Sequence, residues 1–166
     1  MNTRKMVNAQ SRAGTDTGIV ELGTVVDQLN DLIKTNRGII EVYRTAEERL
    51  ENESHAELLR NFAEQHETFV TELSNLVVSH SGEPVAEADE TTIVKQAWVT
   101  LKSTITKGDA PILSEVAQDM ETVLEEYKKA KDEDLPDDVQ KVVNRQLDEV
   151  RQASEKISGL SEAGNS

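Results

Sequence analysis

Apolar residues recur along this chain with the three-and-four spacing of an α-helix almost from end to end. From about Val20 to Glu51, heptads with Leu22, Leu29, Asn36, Tyr43 and Leu50 at a place Val25, Leu32, Ile39 and Ala46 at d. The e positions are then Val26, Ile33, Ile40 and Glu47, so only Asn36 and Glu47 interrupt the stripe. A stripe of this width is what a helix facing a bundle core needs, and no period of two points to a strand. A second segment opens at Ser54-His55-Ala56-Glu57, which reads as a capping box. It turns Ala56, Leu59, Phe62, Ala63, His66, Phe69, Val70, Leu73, Leu76 and Val77 inward, with His55 and His80 at its two ends, and stops at Ser81-Gly82 ahead of Pro84. The short connection around Asn52 predicts antiparallel neighbours.

After an acidic linker over residues 83–90, a shorter helix is predicted over 91–106, with Val94, Trp98, Leu101 and Ile105 on one face. Lys107-Gly108-Asp109 ends it and caps the next segment, about Ala110 to Lys131, with Pro111 tolerated in the first turn. That segment points Leu113, Val116, Met120, Val123, Leu124, Tyr127 and Ala130 inward. After Leu135-Pro136 a last segment, about Asp137 to Gly159, does the same with Val139, Val143, Gln146, Leu147, Val150, Ala153 and Ile157. Residues 1–18 and 161–166 are polar and lack a sustained period, so they read as disordered tails around a single domain over 19–160.

A shift of 84 residues, twelve heptads, lays Ile40-Glu41-Val42-Tyr43 on Leu124-Glu125-Glu126-Tyr127 and Leu29 on Leu113 without a gap. Two readings stand. Any two amphipathic hairpins align in heptad phase; alternatively, two helical hairpins are related by a pseudo-twofold axis, with the helix over 91–106 inside the long crossover between them. The second describes an all-α, ferritin-like four-helix bundle of two antiparallel hairpins with a short helical crossover.

Composition narrows the chemistry. The chain has 166 residues and no cysteine, which removes disulfides, thiolate metal sites and thiol nucleophiles. Its 18 basic and 32 acidic residues give a net charge of −14, which disfavours nucleic acid as a partner. No apolar run reaches the roughly 20 residues of a membrane span, and the first residues lack a signal-peptide stretch, so a cytoplasmic location is expected.

Leu29-Asn30-Asp31-Leu32-Ile33, Tyr43-Arg44-Thr45-Ala46, Gly82-Glu83-Pro84 and Trp98-x-x-Leu101-Lys102, with Gly108-Asp109, Ile112-Leu113-x-Glu115 and Leu135-Pro136 ahead of Gln146, add a likeness. On these motifs the chain, over roughly 29–160, resembles a bacterial family of four-helix-bundle proteins, a ferritin-like domain family of unknown function. The resemblance implies a ferritin-like helical fold and carries over no activity and no catalytic residues.

Di-iron and di-manganese centres in such bundles take a Glu from each of two helices and a Glu-x-x-His pair from each of the other two. No histidine here lies three residues after a glutamate, and all three histidines sit on the second segment. Glu41, Glu64 and Glu125 fall on outward heptad positions. The inner polar residues are Asn36, Tyr43, His66, Tyr127 and Gln146, and hairpin geometry sets Tyr127 level with Gln146, which predicts a hydrogen bond between them. No phosphate loop, nucleophile elbow or His-Glu-x-x-His is present. The expectation is therefore a non-enzymatic helical-bundle protein without cofactor, stress-associated or structural, working by self-association or by binding a protein partner. The alternative is a degenerate metal-binding bundle using His66 with Glu47 or nearby carboxylates.

Overall fold

The computed structural model describes residues 2–86 and 108–164, with side chains from Gly23 onward. Four helices make up the described residues: α1 (Asn2–Glu47), α2 (Glu53–Ser79), α3 (Ala110–Asp132) and α4 (Asp137–Gly164), with no strand among them. The helix predicted over 91–106, and Trp98 on it, lie outside the described residues.

Local chemistry explains most boundaries. Asn52, rather than Ser54, caps α2: its side chain accepts the Ser54 amide at 2.9 Å, so the helix begins a turn-fraction earlier than the Ser-x-x-Glu pattern predicts. At the other end of α2, Gly82 N–H reaches the Val77 carbonyl at 2.8 Å, a closure that puts Ser81 in the left-handed region at φ 64°. Gly82 is needed for space instead, since a Cβ there would stand 2.6 Å from both methyl groups of Val26. Pro111 sits in the first turn of α3 as expected. Gly108 before it takes φ 88°, which a residue with a Cβ adopts only with strain.

The helix ends depart from the sequence reading in three places. α1 starts at Asn2, so the backbone of the stretch assigned to a tail over 2–18 continues the helix; no proline interrupts it, and extending an existing helix costs little. It stops at Glu47, a turn before the predicted end at Glu51. α4 runs on to Gly164, which corrects the predicted C-terminal tail over 161–164: Ser161 is buried and Gly164 lies against Ala110 at the start of α3. Small residues at this end let the two backbones approach, a docking that an apolar pattern does not advertise.

Hairpin α1–α2 packs on hairpin α3–α4, α1 beside α3 and α2 beside α4. Asn36 meets Tyr127 and Tyr43 meets Met120, so α1 and α3 run antiparallel; Gln65 meets Glu149 and His80 meets Asp138, so α2 and α4 do too. The chain therefore has to change ends between α2 and α3. Its departure is fixed on α1, where Asn30 bonds Glu83 and Val85, and Arg37 bonds the Val85 and Ala86 carbonyls. Its return is fixed at the opposite end by Asp109. One connection spanning the bundle is the ferritin-like topology.

The predicted stripes form the core: Leu29, Ile33, Ile39, Leu59, Phe69, Leu73, Val116, Val123, Val143, Val150 and Ile157 are all buried. Val42 and Thr35 are buried as well, off the predicted stripe, because α1 packs against α2 on one side and α3 on the other.

The 84-residue shift is also geometric. Asn36 pairs with Tyr127, and their mates Met120 and Tyr43 pair with each other. Tyr127 pairs with Gln146, and their mates Tyr43 and Phe62 have ring centroids 6.0 Å apart. Gln65 and Glu149, mates of one another, meet across the axis. Heptad phase alone would not pair mates with mates, so the two hairpins are related by a pseudo-twofold axis.

Candidate functional site

A polar layer crosses the middle of this core, and all four helices contribute to it. Asn36 on α1, His66 on α2, Tyr127 on α3 and Gln146 on α4 are each fully buried. The hydrogen bond predicted between Tyr127 and Gln146 is present at 2.7 Å.

Two groups that can only accept fix the direction of every bond. The Leu32 carbonyl lies 2.7 Å from Asn36 Nδ2, so the amide nitrogen of Asn36 faces Leu32 and Tyr127, and its Oδ1 faces His66 Nδ1 at 2.6 Å. His66 Nδ1 must therefore carry the proton. At the other end the Glu72 carboxylate accepts from Gln146 Nε2 at 3.3 Å, which turns Gln146 Oε1 toward the Tyr127 hydroxyl and makes Tyr127 the donor. Glu72 is in turn held by Arg145, whose other nitrogen reaches Glu149 at 3.3 Å; Glu149 accepts from Gln65 at 3.1 Å. The network thus runs from a buried imidazole to a surface ion cluster at the α2–α4 seam, the more open of the two seams between hairpins.

Burial sets the protonation states. His66 lies between Tyr43 and Phe69, tilted against the first and edge-to-face with the second, with centroids 5.5 and 5.1 Å away, and desolvation lowers its pKa to about 3. It is neutral at any ordinary pH. Burial also raises the phenols of Tyr43 and Tyr127 above their usual value, so both stay protonated. Amides separate the imidazole from both the phenol and the carboxylate. An amide does not readily pass a proton on, so the layer orients its members and does not conduct protons.

The other sequence-predicted residues are placed elsewhere. Tyr43 is buried, and its hydroxyl meets Met120 Sδ. Glu47 does not join His66: it bonds Arg60 at 2.7 Å on the surface, because the stripe drifts outward in the last turn of α1. His55 and His80, at the two ends of the second predicted segment, each pair with a carboxylate of the other hairpin's half of the chain. His80 lies 3.1 Å from Asp138, and His55 Nδ1 lies 2.7 Å from Asp109. Asp109 also accepts the amides of Glu51 and Asn52 at 2.7 and 3.0 Å, so it ties the start of α3 to the α1–α2 turn instead of capping its own helix. Burial raises its pKa, but these hydrogen bonds, from Glu51, His55 and Asn52, outweigh it and leave the carboxyl below the usual value.

Sequence reasoning did not single out Gln65, Glu72, Arg145 or Glu149. Each borders the inner stripe, and only the registry between hairpins brings them together. The 84-residue shift does lay Gln65 on Glu149, which was the available signal.

This fold places the chain among ferritin-like bundles. It is similar to the dodecameric thioferritin of Bacteroides fragilis, a bacterioferritin-related protein, with a TM-score of 0.68 and 14% identity over 87% of this chain and 88% of that one. Residues 24–133 match the family described as Domain of unknown function (DUF2383), and the chain belongs to that family. No curated protein matches it in sequence.

Ferritin-like folds imply a two-metal centre, and the donors at the bundle centre do not fit one. Among the described residues the buried polar side chains at the bundle centre are hydroxyls, amides and one imidazole, without a carboxylate. Hard divalent ions need carboxylate oxygens. Glu41, Glu64 and Glu125 are exposed, and Glu72 is committed to Gln146 and Arg145. No group of three or more His, Cys, Asp or Glu able to hold a metal occurs among the described residues.

Proposed function

We propose that this protein is a non-enzymatic ferritin-like bundle that works by binding, as a homo-oligomer, in a structural or stress-associated role in the cytoplasm. The observation that carries this reading is the one-way polar layer. Where catalysis would need a carboxylate pair, the bundle centre holds Asn36, Tyr127 and Gln146, bonded to one another and to Leu32 and Glu72. Self-association draws support from two sources. α1 has 46 residues and α2 has 27, about 69 against 40 Å, so α1 is too long to be covered by its hairpin partner. The similar thioferritin is described as dodecameric. Among the described residues no helix is long and apolar enough to cross a membrane.

The test is light scattering and metal analysis on protein purified without an affinity tag. The expected result is an assembly larger than one chain and metal far below one ion per chain. A monomer at high concentration would overturn the self-association. Stoichiometric iron, manganese or zinc that disappears in His66→Ala would establish the metal-binding alternative instead.

A further inference from the structure

We infer that His66 Nε2, at the centre of the bundle, is a binding site for one small neutral molecule that donates a hydrogen bond. The direction of the polar layer leads there. Asn36 Nδ2 is committed to the Leu32 carbonyl and the Tyr127 hydroxyl, so its Oδ1 faces His66 and the imidazole carries its proton on Nδ1. That leaves Nε2 with a lone pair and no proton. Nε2 is buried and has no partner among the described residues; the one other such atom among them is Gln65 Oε1, whose amide nitrogen is bonded to Glu149 at the edge of the network, so within the four-residue layer Nε2 alone is left over. A buried acceptor left unpaired is costly, and the great majority in folded proteins have a donor.

The fold itself does not require a histidine here. The pseudo-twofold axis carries His66 onto Val150, a buried apolar residue in the same role on α4. It likewise carries Asn36 onto Met120 and Gln146 onto Phe62, so one half of the bundle centre is polar and its mate is apolar. The apolar half shows how this packing closes with one weak hydrogen bond, from the Tyr43 hydroxyl to the Met120 thioether. In the polar half, Asn36 presents its oxygen to the ring and thereby holds the lone pair toward the interior.

The occupant follows from the surroundings. The rings of Tyr43 and Phe69 flank the imidazole and His66 is fully buried, so a charged ligand would lose its hydration there with no opposite charge to replace it. His66 stays neutral and offers only an acceptor. The complement is a molecule of a few atoms with an O–H or N–H to give: water is the smallest, and a small alcohol or amide from the cell has the same chemistry.

Long-range proton–nitrogen spectra of the imidazoles in the labelled full-length protein test this without any substitution. The expected result is Nδ1 protonated and Nε2 unprotonated for His66, unchanged from pH 5 to 9. The Nε2 resonance is expected to be displaced from that of a free lone pair toward the protonated position. A cross-peak from the His66 ring to water, unchanged after unfolding and refolding in plain buffer, identifies water as the occupant. A displacement lost on that treatment, with an organic solute recovered by mass spectrometry, identifies a small O–H or N–H donor. A proton on Nε2, an Nε2 resonance at the free position, or stoichiometric metal bound there overturns the inference. None of these outcomes depends on whether the protein self-associates.

Discussion

The hydroxyl of Tyr127 accepts from Asn36 Nδ2 at 2.7 Å and gives its own proton to Gln146 Oε1, also at 2.7 Å. One oxygen thus joins α1, α3 and α4. Removing it in Tyr127→Phe leaves a buried donor and a buried acceptor short of a partner, at about 1–3 kcal/mol each when fully orphaned. The expected loss is about 2–4 kcal/mol by urea denaturation. Its mate Tyr43 donates only to a thioether, so Tyr43→Phe should cost less than about 1 kcal/mol. Equal losses in the two variants would refute the polar layer's special role.

His66 and Asp119 should make stability respond to acid with opposite signs. Burial lowers His66 from 6.5 to about 3, so between those values the unfolded chain binds a proton that the folded chain refuses. Stability therefore falls as pH drops through that window, by up to about 1.4 kcal/mol per unit. Asp119 works against this. Burial, and then Glu115, raise its carboxyl from 3.8 to about 6, so in that range the folded chain binds the extra proton and acid stabilises. Asp119 is only half covered, so its effect is screened to less than about 1 kcal/mol. Asp119→Asn should be more stable than the parent at pH 7 and lose stability more steeply between pH 6 and 4, read from denaturation midpoints.

Asp109 closes the crossover by holding Glu51, Asn52 and His55 at once. Asp109→Ala should cost about 1–3 kcal/mol and remove hydrogen-exchange protection at the Glu51 and Asn52 amides. Because the folded carboxyl lies below its usual 3.8, this contribution is present above that pH and is lost only as pH falls through the lower folded value. Unchanged exchange at both amides would count against the clasp.

Neighbouring residues at the end of α2 should respond in opposite directions. Ser81 holds φ 64° with a Cβ, so Ser81→Gly should stabilise by about 0.5–1 kcal/mol. Gly82→Ala would drive a methyl group into Val26 and Val77, whose short branched side chains cannot swing away, and should cost about 1–3 kcal/mol. Thermal melts of the two variants decide it.

Heptad phase made much of this legible in sequence, because it reports which face of each helix is inside. Asn36, His66, Tyr127 and Gln146 stood out as polar residues on apolar stripes, and all four are buried together. Phase says less about ends and seams. Glu47 kept the stripe's register but lay in the last turn, where Arg60 draws it to the surface. Ser54 matched a capping pattern, yet Asn52 was better placed to take its amide. Glu72 and Arg145 sit at the edges of their stripes and acquire a role only from the height at which one hairpin meets the other. That height is a tertiary quantity, visible in the sequence only through the 84-residue shift.

The chain has only two tyrosines, and both are sealed in the core with their phenols held protonated. Their ultraviolet absorption therefore cannot shift to the phenolate form while the bundle is closed. In an alkaline titration the near-ultraviolet signal should stay flat past the usual phenol range and then rise in a single step as the helices part. The protein thus carries its own optical gauge of bundle opening, with no added dye.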